Sequence, residues 1–137
     1  MSRIFLALTI LAGAAFLVLS AWIAPAEARE VSGWKAYSPA SFETLRASGR
    51  PIVVDVHASW CPTCRVQAGI LDRYRKSDAF GDVAFVRVDY DNDRQFLKDF
   101  RIPRQSTILV FKGGREVGRS VAETNPEKLG ALLKRAL

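Results

Sequence analysis

Cysteine is scarce in this sequence, histidine is nearly missing, and repetition is lacking altogether. The 137 residues hold two cysteines, Cys61 and Cys64, and one histidine, His57. So few thiols exclude a scaffold stapled by several disulfides. No segment recurs and none is of low complexity, which excludes repeat architectures. Runs of like charge are absent too: twenty basic and fourteen acidic residues leave a net charge of +6, but the lysines and arginines are scattered. A solvated surface accounts for that scatter, and no nucleic-acid module is visible.

What is present begins with a leader. Met1-Ser2-Arg3 is a short basic start, Ile4 to Ala24 is apolar apart from Thr9, Gly13 and Ser20, and Ala26-Glu27-Ala28 forms an Ala-x-Ala cleavage pattern before Arg29. Residues 1–28 therefore read as a signal peptide or a membrane anchor. Pro25 and the small-residue site favour cleavage, whereas the apolar run 4–24 is long enough to span a bilayer once. Both readings place the remainder, residues 29–137, in a periplasmic or otherwise exported compartment. That remainder suffices for one domain, expected to act as a monomer.

Strands and helices alternate along it. Ser38 and Pro39 start a helix that Gly49 ends. Residues 51–58 are β-branched and apolar on both faces, as in a central strand. A helix follows from Pro62 to about Lys76, with Val66, Ile70, Leu71 and Tyr74 expected on its buried face. Val83 to Asp89 is a second buried strand, and Asp93 to Phe100 a short helix with Phe96, Leu97 and Phe100 inward. Thr107 to Lys112 is a third, turning through Gly113-Gly114 into an antiparallel partner, Arg115 to Val121. Asn125 caps a last helix that opens with Pro126 and buries Leu129, Leu132 and Leu133. The pattern is α/β, a mixed central sheet with helices on both faces.

The chemistry resides in Trp60-Cys61-Pro62-Thr63-Cys64-Arg65. A bridge across so short a loop removes little entropy from the unfolded chain, so a structural staple is the weaker reading. Exchange chemistry needs a thiolate, and an ordinary cysteine is ionised to only a few per cent at neutral pH. Cys61 precedes Pro62 at a helix start, where unpaired N–H groups and the dipole favour its anion, which makes it the nucleophile. Cys64 lies one turn on and can reach back to resolve a mixed disulfide. Asp55, an acid inside a two-sided apolar strand, is the candidate acceptor for the Cys64 proton; a side chain reaching water or a backbone amide is the other reading.

The run Val54 to Cys64, followed by Thr107-Ile108-Leu109-Val110-Phe111-Lys112-Gly113-Gly114, resembles thioredoxin over nearly all of Ser38 to Leu137. The Trp-Cys-Pro-Thr-Cys-Arg run is also similar to that of periplasmic thioredoxin-like proteins of cytochrome c maturation. The resemblance implies the thioredoxin fold and a thiol:disulfide oxidoreductase acting on cysteine-containing proteins without a cofactor. It implies a reducing direction, maintained by a membrane thiol donor. It assigns Asp55 as the buried proton acceptor and aligns Arg87 with a lysine that pairs with that acid, although Arg87 facing solvent is also open.

Trp60, Pro62, Thr63 and Ser106 would contact substrate, with core packing the other reading for Trp60. His57 stands where an aromatic residue is common and is expected to pack on the strand. Arg65 adds positive potential near the sulfurs or is simply solvated. Ser106 is a departure: it occupies the position of a cis-proline that faces the two cysteines, and the isomer of its preceding bond stays open. A rival reading takes Cys61 and Cys64, with Ser106 and His57 beside them, as a metal or cluster site in a monomer or dimer. A redox-inert binding module is the third, and the joint presence of Cys61, Cys64 and Asp55 opposes it.

Overall fold

Burial on both faces places Ile52–His57 at the centre of a sheet. The computed structural model describes residues 30, 31 and 33–137, so the leader readings for 1–28 lie outside the described residues. In chain order the elements are β1 (Glu30–Val31), β2 (Trp34–Ala36), α1 (Pro39–Ala47), β3 (Ile52–His57), α2 (Pro62–Arg75), β4 (Ala84–Asp89), α3 (Arg94–Asp99), β5 (Thr107–Lys112), β6 (Arg115–Val121) and α4 (Pro126–Leu133). Single 3-10 turns at Asp78–Phe80 and Lys134–Ala136 complete them. Among the described residues no helix is long and apolar enough to cross a membrane.

The described strands form one sheet in the order β1-β2-β4-β3-β5-β6. β3 runs parallel to β4 and antiparallel to β5, and β5 forms a hairpin with β6 through Gly113 and Gly114, both at positive φ. This is the mixed α/β sheet expected from the sequence. The β1–β2 ribbon was not: three residues, Trp34-Lys35-Ala36, are too few to display a period. β2 is placed by pairing in parallel with β4 and by burial of Trp34, which meets Phe85 edge-on at 5.5 Å.

Alternation along β3 divides the core. Ile52, Val54 and Val56 join Phe42, Phe96, Leu109 and Phe111 on one side, whereas Val53 joins Trp34, Ile70, Leu71, Ile108 and Leu129 on the other. Asp55 shares the parity of Val53, so it lies on the α2 side of the sheet. Ser38 caps α1 through Ser41 N–H, and Asn125 caps α4 through Glu127 and Lys128 N–H.

One expectation is corrected. Val66 is 53 % exposed, and Gln67 is buried in its place. The stripe facing the sheet is Cys64, Gln67, Ile70 and Leu71, and at about 100° per residue Val66 falls off its edge. Gln67 tolerates burial because its amide donates to the carbonyls of Ser106 at 3.2 Å and Glu123 at 2.9 Å.

Phe42 lies at the centre of the core on its side of the sheet, edge-on to Tyr37, Phe96, Phe100 and Phe111. Phe42→Ala is expected to lower unfolding free energy by about 3–5 kcal/mol in urea titration. Val66→Ala should change it by no more than about 0.5 kcal/mol, and a large loss there would contradict the placement of α2.

Candidate active site

The C-terminal end of β3 delivers the cysteine loop. Cys61 N–H donates to Ala58 carbonyl at 3.1 Å, and the extended backbone of Cys61 makes it the N-cap of α2, with Pro62 in the first turn where no N–H is needed. A sulfur thus occupies the capping position usually held by an oxygen. Cys61 Sγ accepts from Cys64 N–H at 3.1 Å. Both cysteines are free thiols and both are buried.

Ser106, just before β5, closes over them. Its hydroxyl lies 3.1 Å from Cys61 Sγ and 3.1 Å from Cys64 Sγ. There is no cis peptide bond among the described residues, so the bond before Ser106 is trans, and Ser106 takes φ +63. That left-handed conformation costs a non-glycine residue about 1–2 kcal/mol. Its N–H donates to Val56 carbonyl at 2.9 Å, and its carbonyl accepts from Ala122 N–H at 2.9 Å and from Gln67. With both backbone groups used inside the chain, the hydroxyl is the polar group Ser106 has left, and it faces the sulfurs.

The two sulfurs are driven apart in acidity. For Cys61, burial acts to raise the value, but hydrogen bonds from the Cys64 thiol, the Ser106 hydroxyl and the N–H groups of Cys64 and Thr63 outweigh it and hold the thiol below its ordinary range. For Cys64, burial again comes first, and the hydrogen bond to Cys61 adds to it, pushing that thiol up. A thiolate next to a protonated thiol is the pairing that dithiol exchange requires.

Asp55 belongs to a second group. It is fully buried, and its Oδ2 accepts from Arg87 Nη2 at 3.0 Å and Nε at 3.2 Å, while Oδ1 has no hydrogen-bond partner in the chain. Of the two readings of Arg87, pairing is the one observed. Arg87 is the Cα partner of Asp55 across β3 and β4, and its guanidinium lies 4.3 Å over the Trp34 ring. His57 Nδ1 is 3.5 Å from Asp55 Oδ2, turned toward the carboxylate. No hydrogen bond among the described residues joins this group to the sulfurs, and no cluster of three or more His, Cys, Asp and Glu side chains gathers there to hold a metal ion.

Trp60, 56 % exposed, stands at the rim with its indole N–H donating to Asp91 Oδ2 at 2.9 Å. Core packing is thus not its role. Pro62 and Arg65 are also exposed at the start of α2, with Thr63 half-buried between them. Sequence reasoning missed Gln67 and Trp34. The i, i+3 spacing from Cys64 was an available signal for Gln67. None existed for Trp34, whose contact with Arg87 depends on β2 pairing with β4.

The acidity split has a direct consequence. Alkylation of Cys61 by iodoacetamide should follow its thiolate, with the rate reaching half its maximum at a pH below about 8.5, the midpoint of a free cysteine, and falling as pH drops further. Mass spectrometry after limited alkylation should find Cys61 modified and Cys64 spared. A midpoint at or above the free value would contradict the capping geometry.

The thioredoxin family model matches residues 34–135. Thioredoxin of Alicyclobacillus acidocaldarius is 30% identical over 94 residues, covering 69% of this chain and 89% of its own length. A thioredoxin H-type protein of Fagopyrum esculentum is 33% identical over 88 residues, covering 64% and 74%. Among solved structures, Trxlp from Edwardsiella tarda superposes with a TM-score of 0.69 at 39% identity, covering 72% of this chain and 95% of that one. Fasciola hepatica thioredoxin superposes at 0.63 with 31% identity, covering 72% and 93%. With family model, relatives and sulfur geometry in agreement, this chain belongs to the thioredoxin family and is a thiol:disulfide oxidoreductase.

Proposed function

We propose that the protein reduces disulfides of exported proteins, with Cys61 as nucleophile, Cys64 as resolving thiol and Asp55 as acceptor of the Cys64 proton. The observation that carries this reading is the capping of α2 by Cys61 Sγ with Cys64 one turn behind it. The Cys61 thiolate attacks a substrate disulfide, bonds to one sulfur and expels the other as a thiolate. Cys64 then attacks Cys61, expels the second substrate sulfur and closes the Cys61–Cys64 disulfide. Two electrons pass from protein to substrate, which leaves as two thiols.

Export is supported by the basic start, the apolar run 4–24 and the Ala26-Glu27-Ala28 site. An exported compartment does not regenerate thiols by itself, so the cycle calls for a membrane thiol donor. The similarity of Trp60-Cys61-Pro62-Thr63-Cys64-Arg65 to thioredoxin-like proteins of cytochrome c maturation makes the disulfides of apocytochromes a substrate class of choice. Exposed Trp60 offers such a partner a flat apolar surface beside Cys61.

Asp55 is buried on the α2 side of β3, where Arg87 pairs with its Oδ2. Asp55→Asn is expected to slow resolution of a Cys61 mixed disulfide by about tenfold or more while leaving the first attack near its original rate. Equal loss in both steps would remove Asp55 from the proton path.

Trapping tests the whole reading. Full-length Cys64→Ala, expressed in cells, should accumulate mixed disulfides through Cys61 with exported cysteine-containing proteins and with a membrane thiol donor. Cys61→Ala should accumulate none. Wild-type protein should be found with both thiols reduced at steady state. An absence of trapped partners, together with a Cys61 inert to alkylation near neutral pH, would overturn the proposal, and a wholly oxidised steady state would reverse its direction.

A further inference from the structure

The site holds a hydroxyl that the exchange mechanism above leaves without a task. Ser106 Oγ is within hydrogen-bond distance of both sulfurs, 3.1 Å from each. A hydroxyl has one proton and two lone pairs, so it donates to one sulfur and accepts from the other, and rotation about one bond exchanges them. Nothing else in the residue is free to move. Its N–H is committed to Val56, its carbonyl to Ala122 and Gln67, and its side chain is fully buried.

Burial makes such a donor matter. Cys61 is 2 % and Cys64 0 % exposed, so neither thiolate can draw its solvation from bulk water. In the reduced protein Cys61 already has the Cys64 N–H as a fixed donor. Cys64 sits one turn inside the helix and needs stabilisation only for the instant in which it attacks.

We propose that Ser106 is a catalytic residue whose hydroxyl donates to whichever sulfur bears the negative charge, first Cys61 and then Cys64. The inference rests on the thiol-exchange reading and adds a residue to it. Before reaction the Cys64 S–H is shared between the Cys61 thiolate and Ser106 Oγ, and the Ser106 O–H donates to the Cys61 thiolate. Attack on a disulfide RS–SR′ forms the Cys61–SR bond, breaks RS–SR′ and releases R′S⁻. Cys61 is now neutral, and the hydroxyl turns. The Cys64 proton leaves through the acceptor of the cycle and ends on R′S⁻, while the Ser106 O–H donates to the Cys64 thiolate. Formation of the Cys61–Cys64 bond then expels RS⁻, which takes a proton from water. Two electrons have moved to the substrate, and Ser106 has kept its own proton throughout.

A serine thereby does what a proline at this position cannot, because proline carries no hydroxyl. The left-handed φ follows from aiming the side chain at both sulfurs from a backbone tied to β3 and β6.

The test is stopped-flow reaction of the reduced full-length protein with dithio-bis-nitrobenzoate, which releases one coloured thiolate when Cys61 attacks and a second when Cys64 resolves. Ser106→Ala and Ser106→Gly both remove the hydroxyl, but glycine suits φ +63 and alanine does not. Both variants should slow each phase by about tenfold, as expected for loss of a hydrogen bond to an ion, and move the pH midpoint of the first phase upward. Slowing of the first phase alone, or of neither, overturns the proposal. So does a loss in Ser106→Ala that Ser106→Gly does not share, because that identifies backbone strain rather than the hydroxyl. If wild-type protein itself releases no second thiolate, the exchange reading falls and the Ser106 assignment falls with it, an outcome separate from two normal wild-type phases that the variants leave unchanged.

Discussion

The first backbone N–H groups of a helix have no partner within it, and in α2 the side chain that answers them is a sulfur. Everything else about the site follows from that substitution of sulfur for oxygen at a cap. The helix gains a partner for Cys64 N–H, and the thiolate gains a donor and a favourable dipole where solvent does not reach. At Cys64 burial and the hydrogen bond to Cys61 outweigh what the Ser106 hydroxyl and the Ala58 backbone offer its sulfur. Two identical side chains three residues apart thus acquire opposite preferences for the proton.

Asp55 raises a different difficulty. A carboxylate with no solvent exposure is several kcal/mol unfavourable unless matched, and a buried pair repays its desolvation only with good geometry. The match is supplied by register: Arg87 is directly opposite on β4, and its two nitrogens converge on Oδ2. Trp34 completes the arrangement by covering the guanidinium face, a cation–π contact that keeps Arg87 over the sheet while leaving it partly solvated. Oδ1 is left without a hydrogen-bond partner in the chain.

The two groups share the same strands. Val56 receives the N–H of Ser106, two residues beyond Val54 in the β3–β5 ladder, so the loop carrying the hydroxyl is an extension of the sheet that carries Asp55. Gln67 adds a second tie from α2 to the Ser106 and Glu123 carbonyls. Sheet, cysteine helix and serine loop are thus tied to one another by hydrogen bonds beside the sulfurs.

Much of this was legible in the chain. Two-sided apolar runs located β3, β4 and β5 to within a residue or so, because strands buried on both faces leave little choice of residue type, and the Gly113-Gly114 turn located the exposed β6. Caps at Ser38 and Asn125 were readable because capping is local chemistry, and so was the placement of Cys61 before Pro62. Ile70 and Leu71 marked the buried side of α2, but Val66 looked like the next apolar member, and the partners that admit Gln67 instead come from residues 106 and 123, far along the chain. Nor could it decide whether Arg87 meets Asp55 or solvent, whether Trp34 belongs to the sheet, or where the Ser106 hydroxyl points. Each of those outcomes is a contact between distant segments whose geometry is set by strand register and loop closure, and no residue carries that information by itself.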